Sequence, residues 1–169
     1  NDIFLIRESE YSEAQKHYAS DYFDLHLRDK VVPHLLLAKG IKIWLENRAL
    51  YLAVQLDEQC EKIAILPIPQ DMDRFVILPK DGSRNCITFI DDIIRANIKK
   101  IFPLNGVLGI YAIKMSRDAE LYLGDEFSGD LIKRLKERVQ ERKKGLPTRF
   151  LYDLDMPDAL LKKLRKALV

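Results

Sequence analysis

The side chains best able to act on a ligand are basic ones, and they gather in the last third of the sequence. Between residues 133 and 149, eight side chains are basic and only Glu137 and Glu141 are acidic. Such an excess of positive charge attracts a polyanion. Aromatic residues do not interleave with the run, so the stacking platforms of a single-stranded nucleic-acid site are missing. The basic residues are Lys133, Arg134, Lys136, Arg138, Arg142, Lys143, Lys144 and Arg149.

Groups that could perform catalysis or hold a metal are scarce. His17 and His26 lie nine residues apart, which is about 180° around a helix, so one helix cannot aim both at one ion. Cys60 and Cys86 stand alone, without the spacing of a zinc framework, and His34 has no ligand-type neighbour. No glycine-rich phosphate loop or nucleophile-elbow motif occurs. We therefore predict no catalytic residue and no metal ligand in this chain.

The adjacent acids Asp91 and Asp92 are the remaining candidates for a metal site. They fall at the start of a predicted helix, where carboxylates complement the positive end of the helix dipole. We favour that structural interpretation over a metal site.

Composition indicates one soluble globular domain. The 169 residues are 47% hydrophobic and 32% charged, and no apolar run approaches the roughly 20 residues that span a bilayer. The first residues have neither an initiator Met nor the basic segment of a signal peptide. We expect a cytoplasmic domain that is part of a longer protein.

Hydrophobic periodicity predicts an α+β fold with about four helices and a mixed, largely antiparallel sheet in one domain. The strands near residues 50–56, 62–68 and 75–78 are separated by short polar turns, which favours an antiparallel meander. Helices are predicted at about 14–30, 91–102, 131–144 (capped by Ser128) and 156–168. Further strands are predicted at 3–6, 41–44, 86–88, 107–115 and 149–152.

Three segments resemble the middle, or head, domain of polyphosphate kinases. Residues 89–103 read FIDDIIRANIKKIFP, similar to the family's LEDVIRANLDRLFP helix, and residues 115–121 read MSRDAEL, similar to VTRDADLDI. Residues 141–149 and 155–157 are similar to RRRFGAVVRLEVDASMP, and residues 10–15 echo the family's ELSEEQ helix start. The segment from Leu35 to Trp44 departs from the family's proline-rich stretch, so its path is left open.

This resemblance implies that residues 1–169 are one domain of an enzyme that reversibly moves the terminal phosphate of ATP onto inorganic polyphosphate. In that family a phosphohistidine in C-terminal domains carries the reaction, with ATP and Mg²⁺, and neither the N-terminal nor the C-terminal catalytic domains are present here. We expect this chain to bind no cofactor and to be inactive alone. Its expected partners are the other domains and subunits of a homo-oligomeric kinase and polyphosphate itself, with membrane association only through that assembly.

Within this resemblance, several residues are candidates for contact with phosphate. Arg117, at the end of a predicted strand, could present its planar fork to a phosphate, or it could be tied internally to an acid such as Asp118. Arg95 and Asn97, on the polar side of their helix, have the same two interpretations. The remaining candidates are Arg142, Lys143, Lys144 and Arg149, for which polyanion guidance and plain solubility are equally compatible with the sequence.

A second function class stays open at this point. The basic helix over residues 130–144 could belong to a stand-alone module that binds nucleic acid or another polyanion, although the missing aromatic residues make nucleic acid the weaker choice. A purely structural dimerisation domain is a third possibility.

Overall fold

The computed structural model describes residues 2–36, 42–104, 106–117 and 147–168. The helix predicted after Ser128 lies outside these residues, as do the candidates Arg142, Lys143 and Lys144 and the acid Asp118.

The described residues form four α-helices and eight β-strands. The helices are α1 (Glu13–Tyr22), α2 (Ile90–Ala96), α3 (Ile98–Ile101) and α4 (Asp158–Ala167), and a π-helical turn, Phe23–Leu27, extends α1. The strands are β1 (Ile3–Leu5), β2 (His34–Leu36), β3 (Leu50–Gln55), β4 (Ile63–Pro67), β5 (Phe75–Ile77), β6 (Asn85–Phe89), β7 (Gly109–Arg117) and β8 (Pro147–Tyr152).

The strands form two sheets. The larger has the order β2-β4-β3-β7-β8 and is antiparallel throughout, whereas the smaller has the order β1-β6-β5 with β1 parallel and β5 antiparallel to β6. The predicted α+β class, with mixed but largely antiparallel pairing and about four helices, is confirmed.

The prediction of a three-strand meander is wrong for its third strand. β3 and β4 form the expected hairpin, but β5 pairs with β6 in the smaller sheet. Pro67 is the last residue of β4, and the Ile68 N–H still donates to the Leu50 carbonyl at 3.0 Å. Pro69 follows, and because proline has no N–H to donate, the pairing with β3 does not continue. The chain then leaves the larger sheet before β5 begins.

Two other predicted elements differ from the structure. Of the strand predicted at 41–44, residue 41 lies outside the described residues, and within 42–44 Ile43 forms a single bridge with Leu168; the described strand nearby is β2. The helix predicted at 91–102 is broken at Asn97, whose backbone angles (φ −106°, ψ 15°) are not helical. The side-chain amide of Asn97 donates to the Ile93 carbonyl. Such a local side-chain bond to the backbone competes with the regular hydrogen bonding of a helix.

Hydrophobic residues pack against both faces of the larger sheet. Along β3, Leu52 and Val54 point to one face, while Tyr51 and Ala53 point to the other. The first face packs against α1 and α2, and the second against Leu160 and Leu164 of α4, both fully buried. In the described part of the chain, no helix is long and apolar enough to cross a membrane.

Candidate functional site

Arg117 is the last residue of β7, and its side chain is held on several sides. Its guanidinium carbon lies 3.5 Å from the centroid of the Trp44 ring. Its Nε and Nη2 donate to the Leu45 carbonyl at 3.3 and 3.2 Å, and its backbone N–H donates to Asn47 Oδ1 at 2.9 Å. Arg117 therefore fastens the segment before β3 to the end of β7.

Burial decides what this arginine can do. The residue is only 5% exposed, and desolvation lowers the pKa of its guanidinium below the usual range, although arginine stays charged in proteins. A register shift between Ser116 and Arg117 in the β7–β8 ladder accompanies its placement. In the internal-tie interpretation, the partners of Arg117 are Trp44 and Leu45. Contact between Arg117 and phosphate stays a prediction.

Arg95 connects α2 to the larger sheet. Its Nη1 donates to the Ile110 carbonyl at 2.5 Å, and its Nη2 donates to Asp153 Oδ2 at 3.1 Å. The same carboxylate oxygen accepts the Ala112 N–H at 2.7 Å, and the Asp153 N–H donates to the Ala112 carbonyl at 3.1 Å. Arg95 thus supports the packing of α2 on β7, and a role in binding phosphate stays a prediction.

Asn97 is buried between two helices, at 5% exposure. Its Nδ2 donates to the Ala19 carbonyl of α1 at 3.1 Å and to the Ile93 carbonyl of α2 at 3.0 Å. An amide NH₂ has two hydrogens, and these two bonds use both. The geometry favours a positioning role for Asn97 over contact with a ligand.

Among the candidates that the structure describes, Arg149 is the exposed one. It lies on β8 directly opposite Ser116 of β7. Lys114, two residues before Ser116, points to the same face of the sheet, because side chains alternate along a strand. Diagonal neighbours on one face lie about 7–8 Å apart, within reach of two long basic side chains. Sequence reasoning missed Lys114, although the alternation of buried Ile113, Met115 and Arg117 would have placed it.

A group of acids lies at the start of α2. Asp91 and Asp92 are 8% and 6% exposed. Burial, a hydrogen bond with Glu8 and the nearby charges of Glu8 and Asp91 raise the pKa of Asp92 to about 7. Arg74 Nη2 lies 3.1 Å from Asp91 Oδ1, at ion-pair distance but without hydrogen-bond geometry. The described residues contain no group of three or more metal-ligand side chains close enough to share an ion.

An open groove of about 590 Å³ lies where α3 meets the start of β7. Most of its described lining is apolar, including Ile98, Phe102 and Val107, and Lys99 supplies a charge. The groove offers apolar contact and has no nucleophile or acid–base pair among these lining residues.

The described candidates do not converge on one pocket. Arg95 binds Ile110 near the start of β7, whereas Arg117 ends the same strand, about 23 Å away at the usual rise per residue. Arg117 also lies with Met115 on the α4 face of the sheet, opposite to the face of Lys114 and Arg149. The structure brings together Lys114 and Arg149, and it separates this pair from Arg95, Asn97 and the buried Arg117.

Comparisons with known proteins agree with this architecture. Residues 14–169 match the sequence model of the family described as "Polyphosphate kinase middle domain". The chain is 37% identical to the polyphosphate kinase of Vibrio vulnificus over 96% of its length and 34% identical to that of Escherichia coli K12 over 99%. The crystal structure of polyphosphate kinase from Porphyromonas gingivalis superposes with a TM-score of 0.73 at 29% identity, covering 98% of this chain and 23% of that one.

The chain therefore belongs to the polyphosphate kinase family, as its middle domain. It spans about a quarter of the length of its curated relatives, at 24% of the Vibrio vulnificus protein and 26% of the Escherichia coli protein. The resemblance seen in residues 89–157 is confirmed. None of these comparisons supports the alternative of a stand-alone nucleic-acid module.

Proposed function

We propose that this chain is the noncatalytic middle domain of a kinase that reversibly transfers the terminal phosphate of ATP to inorganic polyphosphate. The relatives named polyphosphate kinase are about four times as long as this chain. Most of such a protein therefore lies outside these residues. We assign the phosphohistidine, ATP and Mg²⁺ to those other domains, and we place the whole kinase in the cytoplasm. This chain contributes assembly with neighbouring domains and subunits, and guidance of the polyanion.

The observation that carries polyanion guidance is the exposed position of Arg149 beside Lys114. Arg149 follows Arg142, Lys143 and Lys144 closely in the sequence, and Lys114 lies on the same face of the β7–β8 ladder. Several cations within a short distance attract a phosphate polymer by charge alone, and arginine adds two parallel hydrogen bonds to one phosphate. Polyphosphate requires no base recognition, so the lack of aromatic residues among these cations is compatible with it.

The binding test uses the full-length kinase and a series of salt concentrations. We expect Arg149→Ala to weaken polyphosphate binding severalfold and to lower the salt slope by about one. The matched control is Arg165→Ala, which removes another exposed arginine, on α4. Equal losses in both variants would contradict a local contact and indicate a general effect of charge.

Two further measurements separate the function classes. The purified 169-residue chain is expected to transfer no phosphate between ATP and polyphosphate, and robust turnover would overturn the noncatalytic assignment.

In the second measurement, single-stranded DNA of equal charge competes with polyphosphate for binding to the full-length kinase. Competition as strong as that of polyphosphate itself would favour the nucleic-acid module instead.

A further inference from the structure

The smaller sheet exposes an apolar outer face. Its inner face carries Val76, Cys86 and Thr88, all buried against the core. Since side chains alternate along each strand, their neighbours point outward. An antiparallel or mixed sheet with one free face normally carries polar residues there. Here the outward residues are almost all apolar, and we call them the outer face: Ile3, Leu5, Phe75, Ile77, Ile87 and Phe89.

The strand register makes the outer face one continuous surface. Leu5 of β1 and Ile77 of β5 both lie directly opposite Ile87 of the central strand β6, so the three form a row across the sheet. Phe75 and Phe89 form the next row, with ring centroids 5.0 Å apart. These residues contact one another across strands, in contrast to the scattered single apolar residues of an ordinary protein surface.

The exposure of these side chains is large. Ile3, Leu5, Phe75 and Ile77 are 65%, 50%, 52% and 76% exposed. With Ile87 and Phe89 partly exposed beside them, the apolar area is on the order of 500 Å², as large as the largest patch on a typical monomer. The largest apolar patch on a monomer is often a functional surface.

The area favours one kind of occupant. Covering the outer face buries on the order of 1,000 Å² from both sides, within the 600–1,500 Å² of contacts between domains of one chain. A stable dimer of separate molecules usually buries about 1,200–2,000 Å². Covalent linkage lowers the area required, because it holds the partner at an effective concentration near the millimolar range.

The curated relatives are much longer than this chain, so a further domain of one polypeptide is a candidate occupant. About three quarters of the length of the curated relatives lies outside the residues described here. Strand β1, which supplies Ile3 and Leu5, also precedes residue 14, where the match to the middle-domain family begins. One edge of the outer face is thus built by residues outside that match.

We infer that the outer face is the docking surface for a neighbouring domain of the same kinase polypeptide. This inference rests on the proposed function only in taking the chain as one domain of a longer kinase. The neighbouring domain would present a complementary apolar surface. Arg74 lies at the rim, with its guanidinium carbon 5.2 Å from the Phe89 ring centroid and its Nη2 3.1 Å from Asp91 Oδ1, so the rim beside the apolar contact is polar.

The test compares the chemical accessibility of one position in two proteins. Ile77→Cys is labelled with a thiol reagent in the 169-residue chain and in the full-length kinase. The matched control is Leu154→Cys, which replaces a 98% exposed leucine in the segment between β8 and α4. The native Cys60 and Cys86 are buried and give a slow background that is measured in the parent proteins.

We expect the Ile77→Cys thiol to react at least about tenfold more slowly in the full-length kinase, a factor that corresponds to about 1.4 kcal/mol. The Leu154→Cys thiol should react at nearly equal rates in both proteins. Equal rates for Ile77→Cys would overturn the inference. So would protection that already appears in the 169-residue chain and grows with its concentration, since that result identifies a second copy as the occupant.

Hydrogen exchange on the unsubstituted proteins provides an independent measurement. Amides of residues 75–89 are expected to exchange more slowly in the full-length kinase than in the 169-residue chain, and unchanged exchange would count against docking. Polyphosphate takes no part in either measurement. Failure of the docking inference is therefore distinguishable from failure of polyanion guidance, which the Arg149→Ala titration tests.

Discussion

The Arg117 guanidinium stacks on the Trp44 ring, with the guanidinium carbon 3.5 Å from the ring centroid. A cation over the face of tryptophan is attracted by the ring quadrupole, and the contact is stronger where water is excluded. Because Arg117 is 5% exposed and Trp44 is 44% exposed, the ring shields the cation from solvent. The pair joins the end of β7 to the segment that leads into β3.

Replacing Trp44 should measure the strength of this contact. We expect Trp44→Ala to lower the free energy of unfolding by about 1–3 kcal/mol, since it removes both the cation–π contact and apolar packing. Trp44→Phe retains an aromatic face over Arg117, so it should cost less than half as much. Urea unfolding at fixed salt checks both values. Equal losses for the two variants would show that the contact with the cation contributes little.

Trp44 also reports on whether Arg117 contacts phosphate. It is the single tryptophan of the sequence, so its fluorescence comes from one known place. If Arg117 contacts phosphate, polyphosphate should produce a saturable change in emission that Arg117→Met abolishes. A flat titration under conditions where polyphosphate binds would contradict this prediction and leave Arg117 a positioning residue.

The bond between Arg95 and Asp153 should stabilise the packing of α2 on the larger sheet. Asp153 Oδ2 accepts from both Arg95 and the Ala112 N–H, so Asp153→Ala removes two hydrogen bonds and should cost about 1–3 kcal/mol. A double-mutant cycle with Arg95→Met isolates the pair, and we expect a coupling energy of about 0.5–1.5 kcal/mol. Additive effects within about 0.3 kcal/mol would show that the two side chains act independently.

Asn97 should be sensitive to charge. Asn97→Ala removes both side-chain hydrogen bonds to the Ala19 and Ile93 carbonyls and should cost about 1–3 kcal/mol. Asn97→Asp places a carboxylate against the same two oxygens and should cost more at neutral pH. Its penalty should shrink as the pH falls, because a protonated carboxyl can donate again. Thermal unfolding across pH checks the difference, and equal stability of the two variants at pH 7 would contradict it.

Asp92 should make the domain more stable in mild acid. Its pKa is raised from 3.8 to about 7 in the folded protein, so the folded state holds its proton more tightly than the unfolded state. Its contribution to stability is therefore full below about pH 4 and is lost as the pH rises toward 7. Asp92→Asn mimics the protonated form and can still donate to Glu8. At pH 8 we expect it to raise the free energy of unfolding by on the order of 2 kcal/mol.

The pH dependence of the stability difference between Asp92→Asn and wild type provides an internal control. Asp24 and Asp71 have lowered pKa values because Lys100 and Lys30 donate to them, so their stabilisation is lost as the pH falls. These contributions are common to both proteins and cancel in the difference between Asp92→Asn and wild type. The difference should vanish near pH 4, and a constant difference at all pH values would contradict the assignment to Asp92.

Local patterns predicted the elements whose causes are local. Ser12 caps α1 and exchanges hydrogen bonds with Gln15 at the start of the helix predicted there, and β3, β4 and β7 lie where apolar runs predicted strands. The break at Asn97 was not predicted, because one of its two acceptors is the distant Ala19 carbonyl. β5 was assigned to the wrong neighbour, since a three-residue strand carries little information about its partner.

The sequence by itself determined the α+β class, membership in the polyphosphate kinase family and a positive field around residues 133–149. These follow from periodicity, motif order and charge, which are properties of neighbouring residues. Only the tertiary structure decided which candidates face solvent. It buries Arg117 under Trp44, binds Arg95 to Asp153 and exposes Arg149 beside Lys114. Burial and pairing depend on contacts between residues far apart in the chain, and the apolar outer face became visible only once β1, β5 and β6 were aligned.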